Sequence, residues 1–257
     1  MDLAAAVAPT TLARQRTLPV ADPLIPLLPD GALPRGRAVS CGGIAATSLA
    51  VALAAEATVA GAWLAVVDVP WLGVEAAGEL GVPLERLVRV DRGCVSEPRS
   101  ASERSAQASW ADLVAAVLDG FEVVITRMPK RLNAGVLRRV QARVQAREAV
   151  LIAVGDPGPL VADITMEAST PVWEGVEHGS GLLRGRRVTV SATGRRVPRP
   201  RRVELWLPGP DGTVAPAAEP VAALHDVSIG VAAGCPDGPD GHGAVPGLAD
   251  RRRRGRR

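Results

Sequence analysis

The sequence predicts an α/β fold with a mainly parallel sheet flanked by helices and a late antiparallel hairpin. Three observations carry this. From residue 37 to residue 154, short β-branched runs alternate with Ala-rich or amphipathic stretches, the pattern of a parallel sheet covered by helices. After Gly155 and Gly158, two strand-like runs, "RRVTVSA" and "RRVELWL", flank a basic connection containing Gly194 and Pro198, which reads as an antiparallel pair. The chain has 257 residues, 47% of them hydrophobic, enough for one substantial domain with loose ends and too few for two large ones.

The first twenty-one residues carry no basic-then-apolar signal pattern and are expected to be a flexible segment. The domain is expected over 22–208. Its strands are placed at 37–41, 62–68, 86–90, 121–126 and 149–154. An Ala-rich helix should follow the first of these. The stretch 44–63 is the longest apolar one, but Thr47, Ser48, Glu56, Thr58 and Gly61 interrupt it, so no membrane span is expected. In "SWADLVAAVLDG", Trp110, Leu113, Val114, Val117 and Leu118 form one helical stripe that stops at Gly120. In "NAGVLRRVQARVQARE", Val136, Leu137, Val140 and Val144 share a face, Arg138, Arg139, Arg143 and Arg147 lie largely opposite, and Asn133 suits the N-cap. Residues 209–257, rich in Gly, Pro, Ala and Asp, lack periodicity and are expected to be mostly disordered.

Composition narrows the chemistry. With five Trp, one Phe and no Tyr, the core must be aliphatic, and each Trp stands out. The last seven residues, "RRRRGRR", hold six Arg, so the net charge of +3 becomes −3 without them. Such a run is either a solvated end or an electrostatic grip on phosphates or an acidic partner. Cys41, Cys94 and Cys235 are odd in number, lack CxxC spacing and do not cluster with His178, His225 or His242. Neither a zinc site nor a disulfide framework is indicated, and a cytoplasmic setting is expected.

A nucleotide-binding α/β domain follows its first strand with G-x-x-x-x-G-K-[ST], whose amides cradle phosphates while the Lys neutralises them. Here the stretch is "GRAVSCGGIAATSLAVALAAEA". Glycines stand at Gly42 and Gly43 and hydroxyls at Thr47 and Ser48, but the Lys is missing and the loop is short. This is a degenerate phosphate loop.

The segment "LPDGALPRGRAVSCGG" followed by "GAWLAVVDVPWLGVEAAGELGVPLERLVRV" resembles the N-terminal half of a RecA-type core, and the late basic hairpin resembles the strands that close such a sheet. The resemblance covers roughly residues 24–154. RecA-like ATPases end the second strand in Asp-x-Glu, where the Glu orients the attacking water; here the run is Asp68-Val69-Pro70. A carboxylate that helps hold Mg²⁺ usually ends the fourth strand, but "FEVVITRMPK" ends in Thr126-Arg127. With the Lys, the Glu and the Asp all missing, neither triphosphate binding nor transition-state stabilisation is expected. No catalytic residue, cofactor or metal is assigned.

Among proteins of this kind the chain is similar to the ImuA family, in particular its actinobacterial ImuA-prime branch, on "LPRGRAVSCGG", "VVDVPWLG", "FEVVITRMP" and "GRRVTVSATGRRVPRPRRVELWLP". The resemblance implies an accessory role in DNA-damage-induced translesion synthesis and SOS mutagenesis. It implies binding to ImuB, an inactive Y-family polymerase homologue, and work beside an error-prone C-family polymerase and RecA, in the cytoplasm and at the nucleoid when engaged; the basic hairpin and the C-terminal Arg run add single-stranded DNA as a candidate partner. The candidate partner anchors are Trp206, Trp173 and Trp71. In "RRVELWL", Val203, Leu205 and Leu207 alternate with Glu204 and Trp206, which turns Trp206 outward. The candidate DNA contacts are Arg195, Arg196, Arg199, Arg201 and Arg202. The alternatives are a RecA-type regulatory ATPase that still binds nucleotide and a RecA-fold cell-division inhibitor of the SOS response.

Overall fold

The computed structural model describes residues 16–92, 103–177 and 180–217. Its strands are β1 (Thr17–Leu18), β2 (Leu33–Pro34), β3 (Arg37–Gly43), β4 (Leu64–Val67), β5 (Leu87–Val90), β6 (Val123–Arg127), β7 (Val150–Val154), β8 (Ile164–Glu177), β9 (Ser180–Gly194), β10 (Val197–Trp206) and β11 (Ala215–Pro216). The α-helices are α1 (Ala46–Val59), α2 (Val74–Glu79), α3 (Glu103–Leu118) and α4 (Ala134–Ala146). Nine strands form one mixed sheet in the order β11-β10-β9-β8-β3-β7-β6-β4-β5, and β1 and β2 make a separate antiparallel pair. The six strands from β5 to β8 run parallel, while β9, β10 and β11 each run antiparallel to the strand before.

Every residue of β4 and β7 is buried, as a parallel strand covered on both faces requires. On one face, α1 and Ala77 of α2 pack with Val39, Leu64, Val66, Ile125 and Ile152. On the other, α3 and α4 pack with Ala65, Val67, Val124 and Leu151. The chain thus leaves β3 outward to β4 and β5 along one face and returns through β6 and β7 along the other. This brings the carboxyl ends of β3, β4, β6 and β7 to one edge, where open α/β sheets hold their ligands.

Each helix has a local cause. In α4, Asn133 caps the first turn by accepting a hydrogen bond from the Gly135 amide at 2.7 Å. Leu137, Val140 and Val144 are buried. Arg143 and Arg147 reach Asp119, just past the end of α3, and the Arg143 guanidinium holds the Asp119 carboxyl below its ordinary range. In α3, Trp110 is fully buried and donates its indole N–H to Thr126 Oγ1 at 3.2 Å. Helix α1 is apolar nearly all round because it is covered twice. The sheet lies on one side, and Leu18, Val20, Leu24, Leu27 and Leu28 of the N-terminal segment belong to the same core. That is why its apolar sequence is a core helix; among the described residues, no helix is long and apolar enough to cross a membrane.

Three features differ from the sequence reading. The fold reaches further than 22–208: Thr17–Leu18 pairs with Leu33–Pro34, Val20 is buried, and Ala215–Pro216 pairs with β10. The remaining residues of the two expected flexible ends, 1–15 and 218–257, lie outside the described residues, as do Cys94, Cys235 and all three His. The long strand β8 was not foreseen, because "ITMEASTPVWEGVE" carries a proline and two register irregularities that break its alternation. Beyond the pairing of Gly43 with Ala168, β8 continues with β9 alone to Glu177, so this hairpin projects past the end of β3.

Candidate functional site

Strand β3 stays paired with β8 through Gly42 and Gly43, and the Ile44 amide donates to the Ala168 carbonyl at 3.1 Å. The two glycines are therefore used to continue a ladder, and they form no open loop. Gly43 sits at φ +81°, and a Cβ there would lie 2.0 Å from the Ala168 carbonyl oxygen, so the turn from β3 into α1 accepts glycine only. Just Ile44 and Ala45 separate Gly43 from α1. That connection is too short to wrap a triphosphate in successive amides, and its exposed side chain is apolar: Ile44 is 66% exposed.

The two hydroxyls at the start of α1 are already engaged. Thr47 Oγ1 accepts the Trp71 indole N–H at 3.0 Å, and Ser48 Oγ accepts from Arg186 Nη2 at 3.0 Å. Each of these partners stacks in turn. The Arg127 guanidinium lies 5.4 Å from the Trp71 ring centroid and the Arg186 guanidinium 5.1 Å from that of Trp173, both within cation–π range. Arg186 is fixed further by donating from Nε to the Leu207 carbonyl at 2.8 Å. Where a phosphate loop would offer a hydroxyl to Mg²⁺, two Trp–Arg pairs and an isoleucine stand.

The acidic positions are likewise committed. Asp68 follows the last residue of β4 at φ +55°, with Oδ1 accepting the Arg92 amide at 3.1 Å and Oδ2 accepting Arg92 Nε at 2.5 Å. It ties the end of β4 to the end of β5. Pro70 accepts from Arg89 through its carbonyl and has no side-chain base to offer. Among the described residues, no group of three or more His, Cys, Asp or Glu could hold a metal ion. Cys41 is buried in the core, and burial pushes its thiol pKa up, which makes it inert.

A protein-family model described as the MT3502 N-terminal domain matches residues 26–159, just over half of the chain. The chain belongs to this family. The matched MT3502 N-terminal domain segment runs from the wrap around α1 to the loop after β7, so it contains Ile44, Thr47, Ser48, Trp71 and Arg127. Trp173, Arg186 and Trp206 lie beyond it. No curated protein matches the sequence.

The three Trp residues singled out as anchors do not form one group. Trp71 is 52% exposed and Trp173 is 48% exposed, and both are held at the first turn of α1. Trp206 is paired with Arg187, the neighbour of Arg186 on β9, so it lies on the opposite sheet face. It turns away from buried Leu205 and Leu207, as its alternation requires, and packs over Gly185, where an added Cβ would lie 3.1 Å from the indole. Among the arginines, Arg195, Arg196, Arg199 and Arg202 are exposed. Arg201 is pinned, donating from Nη1 to the carbonyls of Pro26 and Leu28. It is a clamp on the N-terminal segment and is withdrawn as a nucleic-acid contact.

Sequence reasoning missed Arg186 and Ile44. The signal for Arg186 was present: alternation along "RRVTVSA" puts Arg186 on the same face as Val188, Val190 and Ala192, all buried. An arginine at an inward position needs acceptors, and here Ser48 and the Leu207 carbonyl supply them.

Proposed function

We propose that this chain is a non-catalytic, RecA-like accessory protein of DNA-damage-induced translesion synthesis, which acts by binding an inactive Y-family polymerase homologue of the ImuB kind and thereby supports an error-prone C-family polymerase. The observation that carries the non-catalytic part is the occupation of Thr47 by Trp71 and of Ser48 by Arg186. Those contacts put aromatic rings and guanidinium groups where a triphosphate and its magnesium would need an open amide cradle. The RecA-like assignment is supported by the six parallel strands, the glycine turn from β3 into α1 within the sheet, the switch of faces at its carboxyl edge and the closing antiparallel strands. The partner assignment is supported by the sequence resemblance to the ImuA family.

Trp71 and Trp173, with Arg127, Arg186 and Ile44, supply the docking surface. Trp71 and Arg186 are held by their own hydrogen bonds, and Arg127 and Trp173 stack against them, so they lose little entropy on binding, which is what interface hot spots share. Co-purification of the full chain with the ImuB-type homologue from the same genome tests this. Trp71→Ala and Trp173→Ala are each expected to weaken capture by about 30-fold, the equivalent of ~2 kcal/mol, with an unchanged circular dichroism spectrum. Trp206→Ala, on the far face, is expected to leave it within threefold. Undiminished capture by both the Trp71 and Trp173 variants would remove this surface from the interface, and absence of capture by the wild type would remove the partner.

A further inference from the structure

The opposite, amino-terminal edge of the sheet carries a cleft of about 930 Å³ lined by Arg16, Arg35, Arg37 and Arg196, with Asp30 and Glu148 as its acidic residues. Three separate parts of the chain assemble it. Arg16 flanks β1, and its carbonyl accepts the Arg35 amide at 2.9 Å. Arg37 opens β3. Arg196 belongs to the Arg195–Arg196 turn between β9 and β10, which is anchored where the Arg196 amide donates to the Asp163 carbonyl at 3.2 Å. Gly194, at φ +132°, passes so close to Asp163 that a Cβ would sit 2.6 Å from its carbonyl oxygen, so the turn is held down against the cleft rim.

The four guanidinium groups are poorly compensated. Arg37 lies 3.8 Å from Asp163, whose other carboxylate oxygen accepts the Ala38 amide at 3.3 Å. Among the described residues, Arg16, Arg35 and Arg196 have no carboxylate partner. Four guanidinium groups brought together by three chain segments outnumber the carboxylates of Asp30, Glu148 and Asp163 around them, and an anion in the cleft relieves the excess. Guanidinium forks suit phosphate oxygens. Exposed Arg195 adjoins Arg196 on the turn, and Arg199 and Arg202 are exposed positions of β10, the strand that follows, a set of cations larger than a single phosphate needs. A polymeric phosphodiester fits it.

We propose that this cleft binds the backbone of single-stranded nucleic acid, at the edge of the sheet remote from the Trp71–Trp173 surface. The inference does not rest on the partner assignment, and partner capture and nucleic-acid binding are measured separately.

The test uses the full chain and a fluorescent oligo(dT) followed by anisotropy across a salt series. Arg35→Gln/Arg196→Gln is expected to weaken binding about tenfold at low salt and to make the log affinity against log salt slope shallower by about 1.4, the share of two lost phosphate contacts on a single strand. The single variant Arg196→Gln, at an exposed position, is expected to give about half that slope change with an unaltered thermal midpoint. A 4-thiothymidine oligonucleotide is expected to crosslink within residues 16–17, 34–37, 145–148 or 195–196. Unchanged affinity in both variants, or crosslinks confined to the Arg-rich segment 251–257, would overturn the proposal. So would an oligo-glutamate peptide that binds as tightly as oligo(dT) and is lost with the same substitutions, since the cleft would then be a site for an acidic protein segment.

Discussion

Gly43→Ala is expected to cost at least about 3 kcal/mol of stability, lowering the thermal midpoint by roughly 6–12 °C for a domain of this size. Two penalties add. The left-handed backbone at φ +81° disfavours any Cβ, and this Cβ would meet the Ala168 carbonyl oxygen at 2.0 Å, so the pairing of β3 with β8 must part. Gly61→Ala separates the two terms: φ there is +103° with no atom within 4 Å of the added carbon, and the cost should stay near ~1 kcal/mol. Urea unfolding of both variants checks this. Equal losses would mean that the β3–α1 turn is looser than described and has room to open around a ligand.

Trp110→Ala should be of similar size, about 3–5 kcal/mol. The ring is fully buried between α3 and the sheet, and its indole N–H satisfies Thr126 Oγ1, which is itself fully buried. Trp110→Phe keeps most of the volume and loses the hydrogen bond, so about 1–2 kcal/mol is expected. The same unfolding measurement distinguishes them. A loss below about 1 kcal/mol for the alanine variant would show that α3 packs less tightly than the structure has it.

The parallel core was legible because its signals are local. Strands 37–41, 86–90, 121–126 and 149–154 lie within two residues of their observed bounds, since buried parallel strands write themselves as short β-branched runs. Trp110 could be placed in the core from its spacing to Val114, Val117 and Leu118. Around the β3–α1 turn the sequence showed which residue types are present, no Lys after Gly43, Pro70 two places after Asp68, and Arg127 at the end of β6. What fills the pocket was not legible, because the contacts of Trp71 with Thr47 and of Arg186 with Ser48 span 24 and 138 positions. Nothing in local pattern reports a pairing of that separation. For the same reason Trp71, Trp173 and Trp206 read as one set of anchors, although the sheet places the last on its other face. The basic cleft was half legible: Arg195 and Arg196 stood out in a dense cluster, whereas Arg16, Arg35 and Arg37 are scattered over a segment that reads as a lead-in to the first core strand.

Equilibrium dialysis of the full chain against ATP and Mg²⁺ is the most direct measurement. With Trp71 and Arg186 holding the α1 hydroxyls and Gly43 locked into the β3–β8 ladder, no saturable binding is expected up to millimolar nucleotide. Saturable binding at or below that concentration, lost on substitution of Gly42 or Ser48, would contradict the account.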